Sequence, residues 1–400
     1  MSALREALVR AFSAAHLQVA AVGRFAGAEP SSSFDLIALG KAATPMTDAV
    51  VASWGHLLRA ALVVLPDDAP PPKVDARIRV VRAAHPLPDA RSVAAGEAAL
   101  TLAREGEGTE LRVLVSGGAS SLAFAPVAEI TLESVREITR ALLTSGADVR
   151  AINIVRRHLS RVHGGGLARA AWPRQSVAVI VSDVIGGAVH DVGSGPAAPD
   201  PTTLDDARQV LARYTRAYLA LPLVETLKTT DREAAYTTST IVLEPAHFAR
   251  MLADELTRAG YAARMLTPSM GDPDSLADEY EHLARSLRPR EAMIRSAEPS
   301  IRVDLARPGA GGRCTHLAAL VARALPADTQ FLAAASDGVD GTSETGGAIV
   351  DARSFLGCRA ELDAAIAAFD TGALHRSHGT ALPPGPTGLN FADVHALVRD

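Results

Sequence analysis

Short β-branched runs alternate with Ala/Leu-rich stretches of helical periodicity along nearly the whole chain, and this alternation restricts the fold more than any other feature. In the first half the expected strands are Leu36–Leu39, Ala61–Leu65, Ile78–Arg82, Leu111–Val115 and Ser176–Ser182. In the second half they are Thr240–Leu243, Ala262–Leu266, Ala292–Arg295, Ser300–Leu305 and Gln330–Ala335. Helices are expected over Asp89–Arg104, Leu132–Leu143, Val149–Leu159, Ala246–Ala259, Asp274–Leu287 and His316–Leu325. Strand, helical crossover and strand form a right-handed unit, so the pattern predicts an α/β protein with mainly parallel sheets and helices on both faces. A chain of 400 residues exceeds one ordinary core, so two domains are expected. Weak periodicity over Tyr214–Tyr236 puts the boundary there, giving domains 1–235 and 236–400. The stretch Ile349–Phe369 reads as a helix-rich lid or cap.

A net charge of −5 argues against a nucleic-acid or anionic-membrane surface. Two cysteines, Cys314 and Cys358, give no disulfide framework and fit a reducing compartment. The 12 histidines never fall in a zinc-like spacing. The first residues, Met1–Val22, form a helical Ala/Leu pattern broken by Arg5, Glu6, Arg10 and His16, with neither a signal layout nor a spanning run. The expectation is a soluble cytoplasmic protein with small-molecule partners, no nucleic acid and no membrane.

Several strand ends open into glycine-rich joints, where an α/β protein builds its site. Only Lys41, Lys73 and Lys228 are lysines among 40 basic residues, and Lys41 follows an apolar run in Gly40-Lys41-Ala42-Ala43. A compact ammonium there suits a task that a planar guanidinium does not. The next joint, Ser116-Gly117-Gly118-Ala119-Ser120-Ser121, puts hydroxyls and backbone amides at a helix start, a seat for phosphate or carboxylate. It equally suits a tight turn with Ser120 or Ser121 as N-cap. Arg156, Arg157, His158, Arg161 and His163 run into Gly164-Gly165-Gly166, which would hold an anion or simply end a solvated helix. Asp183 ends an apolar strand, where a metal ligand or general base belongs, and where a turn cap also belongs. In the second half Gly311-Gly312-Arg313 enters a helix, Asp337 and Asp340 follow a strand, and Thr387-Gly388-Leu389-Asn390 forms a last polar joint.

Together the joints supply cations, carboxylates and amide seats, the set that phosphoryl transfer needs. There is no Walker A motif, because Asp35 stands where its first glycine belongs and Ala42 follows Lys41. Gly193-Ser194-Gly195-Pro196 lacks the strand and helix that a dinucleotide fingerprint requires.

These joints, with His85-Pro86-Leu87-Pro88-Asp89, Asn153 to Gly165, Ser182-Asp183-Val184 and Gly195-Pro196, resemble in their order the glycerate 2-kinases that carry a C-terminal MOFRL domain. The resemblance implies a Rossmann-like N-terminal domain, a smaller α/β C-terminal domain and an active site in the cleft between them. It implies transfer of the terminal phosphate of ATP to the 2-hydroxyl of D-glycerate with Mg²⁺. By resemblance Lys41 and Arg313 neutralise charge, Asp183 is metal ligand or base, and Asp337 positions metal or substrate. Gly40, Ser116, Gly117, Gly118, Ser120, Ser121, Arg156, Gly164, Gly165, Asp340 and Asn390 would contact substrate or phosphate; a homodimer is left open. The chain departs from the family pattern at Gly187, Ala188, His190, His163 and Cys314. Two alternatives stand beside the kinase: an NAD(P)-dependent hydroxypyruvate reductase, a name this family also carries, and a catalytically inactive ligand-binding relative.

Overall fold

The computed structural model describes residues 3–20, 29–30, 32–147, 149–301, 303 and 308–400. The chain divides into two compact units, Gln18–Leu243 and a second formed by Met1–Leu17 with Glu244–Asp400. The first helix, α1 (Ala3–Ala20), therefore packs largely with the later part of the chain. Arg10 Nε donates to Glu255 Oε2 at 2.9 Å, and the Phe12 and Phe248 rings lie 5.0 Å apart.

The unit Gln18–Leu243 holds a six-stranded sheet of β1 (Phe34–Leu39), β2 (Leu58–Pro66), β3 (Ile78–Ala83), β4 (Glu110–Ser116), β5 (Gln175–Val181) and β6 (Thr237–Leu243). The order is β3-β2-β1-β4-β5-β6 and every pairing is parallel. This is the doubly wound Rossmann order, in which the winding reverses between β1 and β4. β1 is buried along its whole length, as a central parallel strand covered on both faces must be. Its one charge, Asp35, accepts through Oδ2 from Arg174 Nη1 at 2.8 Å and from the Gly108 amide at 2.9 Å.

The connecting helices are α2 (Ala43–Trp54), α3 (Ala90–Glu105), α4 (Ala119–Leu122), α5 (Leu132–Thr144), α6 (Val149–His158), α7 (Gly166–Ala171) and α8 (Leu204–Tyr214). α3 starts where His85-Pro-Leu-Pro-Asp89 ends, because Asp89 and Ser92 exchange side-chain and backbone hydrogen bonds in a capping box. Residues of α3, α4 and α7 share one core with β1, β2 and β4, while α5, α6 and α8 close a second around Phe124.

The other unit contains α9 (Pro245–Arg258), β7 (Ala262–Met265), α10 (Pro273–Ser286), β8 (Glu291–Ala297), α11 (Arg313–Val321), β9 (Thr329–Ala334), β10 (Gly347–Asp351), α12 (Arg359–Ala367), α13 (Thr371–Ser377) and β11 (Asp393–Arg399). Its sheet runs β10-β9-β11-β8-β7. Here the expectation of mainly parallel pairing fails, since only β7 with β8 is parallel. β8 and β9 do run the same way, as a crossover unit demands, but β11 fills the slot between them and opposes both. The start of Ile349–Phe369 is strand β10 rather than helix. Half of the expected strand Ser300–Leu305 falls outside the described residues, and 300, 301 and 303 carry no strand. Among the described residues no helix is long and apolar enough to cross a membrane.

Candidate active site

The ends of β1 and β4, at the winding reversal, are laced together. Gly40 has φ +121°, and a Cβ there would lie 2.2 Å from Ser116 Oγ, so only glycine fits. The Lys41 amide donates to the Gly117 carbonyl at 2.9 Å, and the Ala42 amide donates to Ser116 Oγ at 3.0 Å. Ser116 is thus committed to the lacing rather than held out to a ligand. Gly118, left-handed at φ +85°, begins α4, and a Cβ on it would meet His85 Cδ2 at 3.0 Å and Lys41 Cγ at 3.6 Å. The half-buried Lys41 and the exposed His85 therefore flank this turn. The first amides of a helix have no intrahelical acceptor, which leaves those of Ala119 and Ser120 without one inside α4. The Ser121 hydroxyl donates back to the Gly118 carbonyl at 3.1 Å, and among the described residues the helix start has no side-chain cap.

The cations of α6 sort into different tasks. Arg157 is buried, with Nε 3.1 Å from Asp200 Oδ2, and Nη1 donates to the His190 carbonyl at 3.1 Å. It is a structural tie. His158 Nδ1 lies 2.8 Å from the Ile154 carbonyl, within its own helix. Arg156 differs: Nη1 donates to Ser120 Oγ at 3.0 Å, and among the described residues no carboxylate lies within ion-pair distance. Arg156 is half-buried, and partial loss of water pulls its pKa below the ordinary arginine value. His163 stands edge-on to Phe124, ring centroids 5.6 Å apart. Burial, with the charges of Arg156 and Arg157, pushes its pKa down to about 3, so it is neutral.

Gly164 and Gly165, expected to contact phosphate or substrate, lie close against neighbouring chain. The Gly164 and Gly165 amides donate to the Ser194 and Gly195 carbonyls at 3.0 and 2.7 Å. Added Cβ atoms there would strike Thr226 at 2.4 Å and Leu227 at 2.5 Å, so these glycines permit close approach. Asp183 follows β5, whose Val181 pairs in register with Ser116, so this half-buried carboxylate emerges one strand over from the Ser116–Ser121 turn. It offers the oxygen donors that Mg²⁺ prefers, and that ion is commonly held by one or two carboxylates plus substrate phosphates.

In the other unit, β8, β9 and β11 bring Glu298, Asp337 and Asp393 to one end of the sheet, near the start of α11. Arg313, the first residue of that helix, donates through Nη1 to Glu298 Oε1 at 2.9 Å and through Nη2 to Asp393 Oδ1 at 3.2 Å. Burial, with the charges of Asp340, Glu298 and Asp337, raises the pKa of Asp393 to about 7 against the pull of Arg313. Burial acts to lower the pKa of Arg313, but Asp393 and Glu298 outweigh it and the guanidinium stays charged. Asp340 caps the helix: its two oxygens accept the Cys314 and Thr315 amides at 2.9 and 2.8 Å. Burial pushes the neighbouring Cys314 thiol well above its ordinary range, so it is inert. Asp337 Oδ1 accepts the Val339 amide at 3.0 Å. The Thr387–Asn390 joint is tied to it through the Thr387 amide, which donates to the Asp337 carbonyl at 3.1 Å, and Asn390 is buried.

The structure thus gathers Gly40, Lys41, Ser116, Gly117, Gly118, Ser120, Ser121 and Arg156 in one unit. It gathers Arg313, Asp337, Asp340 and Asn390 in the other. Sequence reasoning missed Glu298 and Asp393. The signal for Asp393 was its place just past Asn390, readable only once β11 is recognised as a central strand.

The geometry can be set beside known proteins. The model of a domain of unknown function, DUF4147, matches residues 1–227, and that of the MOFRL family matches residues 291–393. A protein of Agrobacterium vitis provisionally named hydroxypyruvate reductase is 32% identical over 384 residues, covering 91% of this chain and 86% of that protein. A D-glycerate 2-kinase of Thermotoga maritima is 31% identical over 377 residues, 90% of this chain and 89% of the relative. The crystal structure of a glycerate kinase from Thermotoga maritima superposes with a TM-score of 0.85 at 27% identity, covering 99% of this chain and 98% of that one.

Proposed function

This chain belongs to the family that joins a DUF4147 domain to a MOFRL domain, and on that premise we propose that it phosphorylates the 2-hydroxyl of D-glycerate at the expense of ATP. The observation that carries this reading is Arg156, a half-buried guanidinium that meets a serine hydroxyl and, among the described residues, no carboxylate, beside a glycine turn flanked by Lys41. A partly desolvated cation without a counter-charge gains from an anionic ligand.

In the reaction the glycerate 2-oxygen attacks the terminal phosphorus, the bond to ADP breaks and the hydroxyl proton leaves to a base. Lys41 and Arg313 answer the charge that builds on the phosphoryl oxygens. The amides of the Gly118–Ser120 turn and Arg156 hold phosphate or the glycerate carboxylate. Asp183 binds metal or accepts the proton, and Asp337 positions metal or substrate. Mg²⁺, when bound, neutralises charge across the phosphates. ADP release measured with ATP, Mg²⁺ and D-glycerate, with the product identified as 2-phosphoglycerate by phosphorus NMR, tests the proposal. No release, or a 3-phosphate product, overturns it.

Hydride transfer is the second reading, favoured by the dinucleotide-type strand order and by the name of the Agrobacterium relative. Against it, the turn after β1 reads Gly40-Lys41-Ala42-Ala43-Thr44, without the fingerprint glycines. Rapid NADH oxidation by hydroxypyruvate would decide in its favour. Stabilisation by ATP without ADP release would point to the inactive binding relative.

A further inference from the structure

We propose that Cys358, Glu361 and His378 form a binding site for Zn²⁺ or a similar borderline-soft divalent ion, apart from the residues assigned to phosphoryl transfer. The thiol, one carboxylate oxygen and one imidazole nitrogen all lie within 4.8 Å of one another. His378 Nε2 is 3.3 Å from Glu361 Oε2, and their side chains are 21% and 55% exposed, so both can swing to meet an ion.

The fold creates this proximity. Cys358 precedes α12, Glu361 lies in its first turn, and His378 follows α13. The Leu362 amide donates to the Cys358 carbonyl at 3.0 Å and the His378 amide to the Leu374 carbonyl at 3.1 Å, so both backbones are anchored. Phe355 lies edge-on to the His378 ring, centroids 5.1 Å apart, which limits the positions the imidazole can take. Three ligand types converge from two helix ends that sequence spacing alone does not pair.

The donor set selects the ion. Thiolate, imidazole and carboxylate together suit zinc, whereas Mg²⁺ prefers oxygen alone. Zinc–ligand bonds of about 2.0–2.3 Å put tetrahedral ligands roughly 3.3–3.8 Å apart, so the three atoms need to close by at most about 1.5 Å. Binding releases the Cys358 proton to solvent, forms three metal–ligand bonds and leaves the fourth position to water, with no change of oxidation state. The bound ion would tie the start of α12 to the end of α13.

The test uses the untagged full chain stripped with a chelator. Co²⁺ is followed by its thiolate charge-transfer and tetrahedral absorption bands, and Zn²⁺ by competition with a chromophoric chelator. We expect one equivalent per chain. Cys358→Ser should lose the charge-transfer band. It should weaken zinc by more than the ~10–100-fold that loss of an outer-shell partner brings, with His378→Ala behaving likewise. Zn²⁺ should also protect Cys358 of the unaltered chain from alkylation, a readout that needs no variant and is not obscured by the buried Cys314. Octahedral Co²⁺ without a thiolate band, equal zinc affinity in Cys358→Ser, or unprotected alkylation would each overturn the site. None of these readouts depends on the kinase reading.

Discussion

Arg156 and Arg313 are the same side chain in opposite company. Arg156 meets a serine hydroxyl and, among the described residues, no carboxylate, while Arg313 is forked between Glu298 and Asp393. The first lacks a negative partner and gains from any anion that arrives. The second already has two and works as a fixed, oriented charge within an acidic neighbourhood. Identity of residue type therefore says little about role, and the surrounding charge decides it.

Four experiments would break or sharpen that contrast. Removing the charge that faces the reacting phosphate should do most: Lys41→Ala is expected to lower kcat by about 10²–10³-fold with Tm unchanged. Turnover near the wild-type level would remove Lys41 from the chemistry. Neighbouring arginines should then separate cleanly. Arg157→Ala breaks a buried pair and should cost about 3–5 kcal/mol of stability by denaturant unfolding. Arg156→Ala should leave stability at or above wild type and raise KM for the anionic substrate by about 10–100-fold, the loss of a charge-assisted hydrogen bond. Equal destabilisation by the two variants would show that Arg156 is structural as well.

The paired arginine gives a pH signature. Asp393 has its pKa raised from 3.8 to about 7, so the folded state holds the proton more tightly than the unfolded chain. Its contribution to stability is full below the unfolded value and is lost as pH rises through about 7. Stability should therefore decline with pH in that window, by at most about 1.4 kcal/mol per unit, and Asp393→Asn should flatten the slope. An unchanged slope would mean that Asp393 stays ionised. The smallest effect belongs to Asp340→Asn, which weakens a helix cap by about 0.5–2 kcal/mol and should leave kcat close to wild type. A large loss of kcat would return Asp340 to the substrate.

Legibility followed the same division. The parallel unit was readable because its strands are continuous apolar runs separated by helices, and its Lys41 and Ser116–Ser121 joints fall where the winding reverses. The second sheet was readable only in part: β7, β8 and β9 fall where strands were expected, but β11 carries Asp393, His395 and Arg399 yet is buried at its centre. His395 is tolerated there because its Nδ1 meets Tyr280 Oη at 2.7 Å, a long-range contact no local pattern reveals. Some expected contacts also have structural partners that no motif shows. Gly164, Gly165 and Asp340 sit in joints that look like binding loops, but their polar atoms are spent on neighbouring backbone. A motif identifies a turn; only the partners of its atoms say whether the turn is vacant.

The placement of α1 makes the Gln18–Leu243 unit, in effect, an insertion within its neighbour. Closing so long a loop costs little extra free energy, because the entropy grows only with the logarithm of length. Time is the larger burden: at ~5–20 residues per second the newborn helix waits tens of seconds before Phe248 and Glu255 emerge to receive it. A 244–400 fragment should accordingly be rescued in trans by a synthetic peptide of residues 3–17, which makes the molecule a natural split-protein reporter.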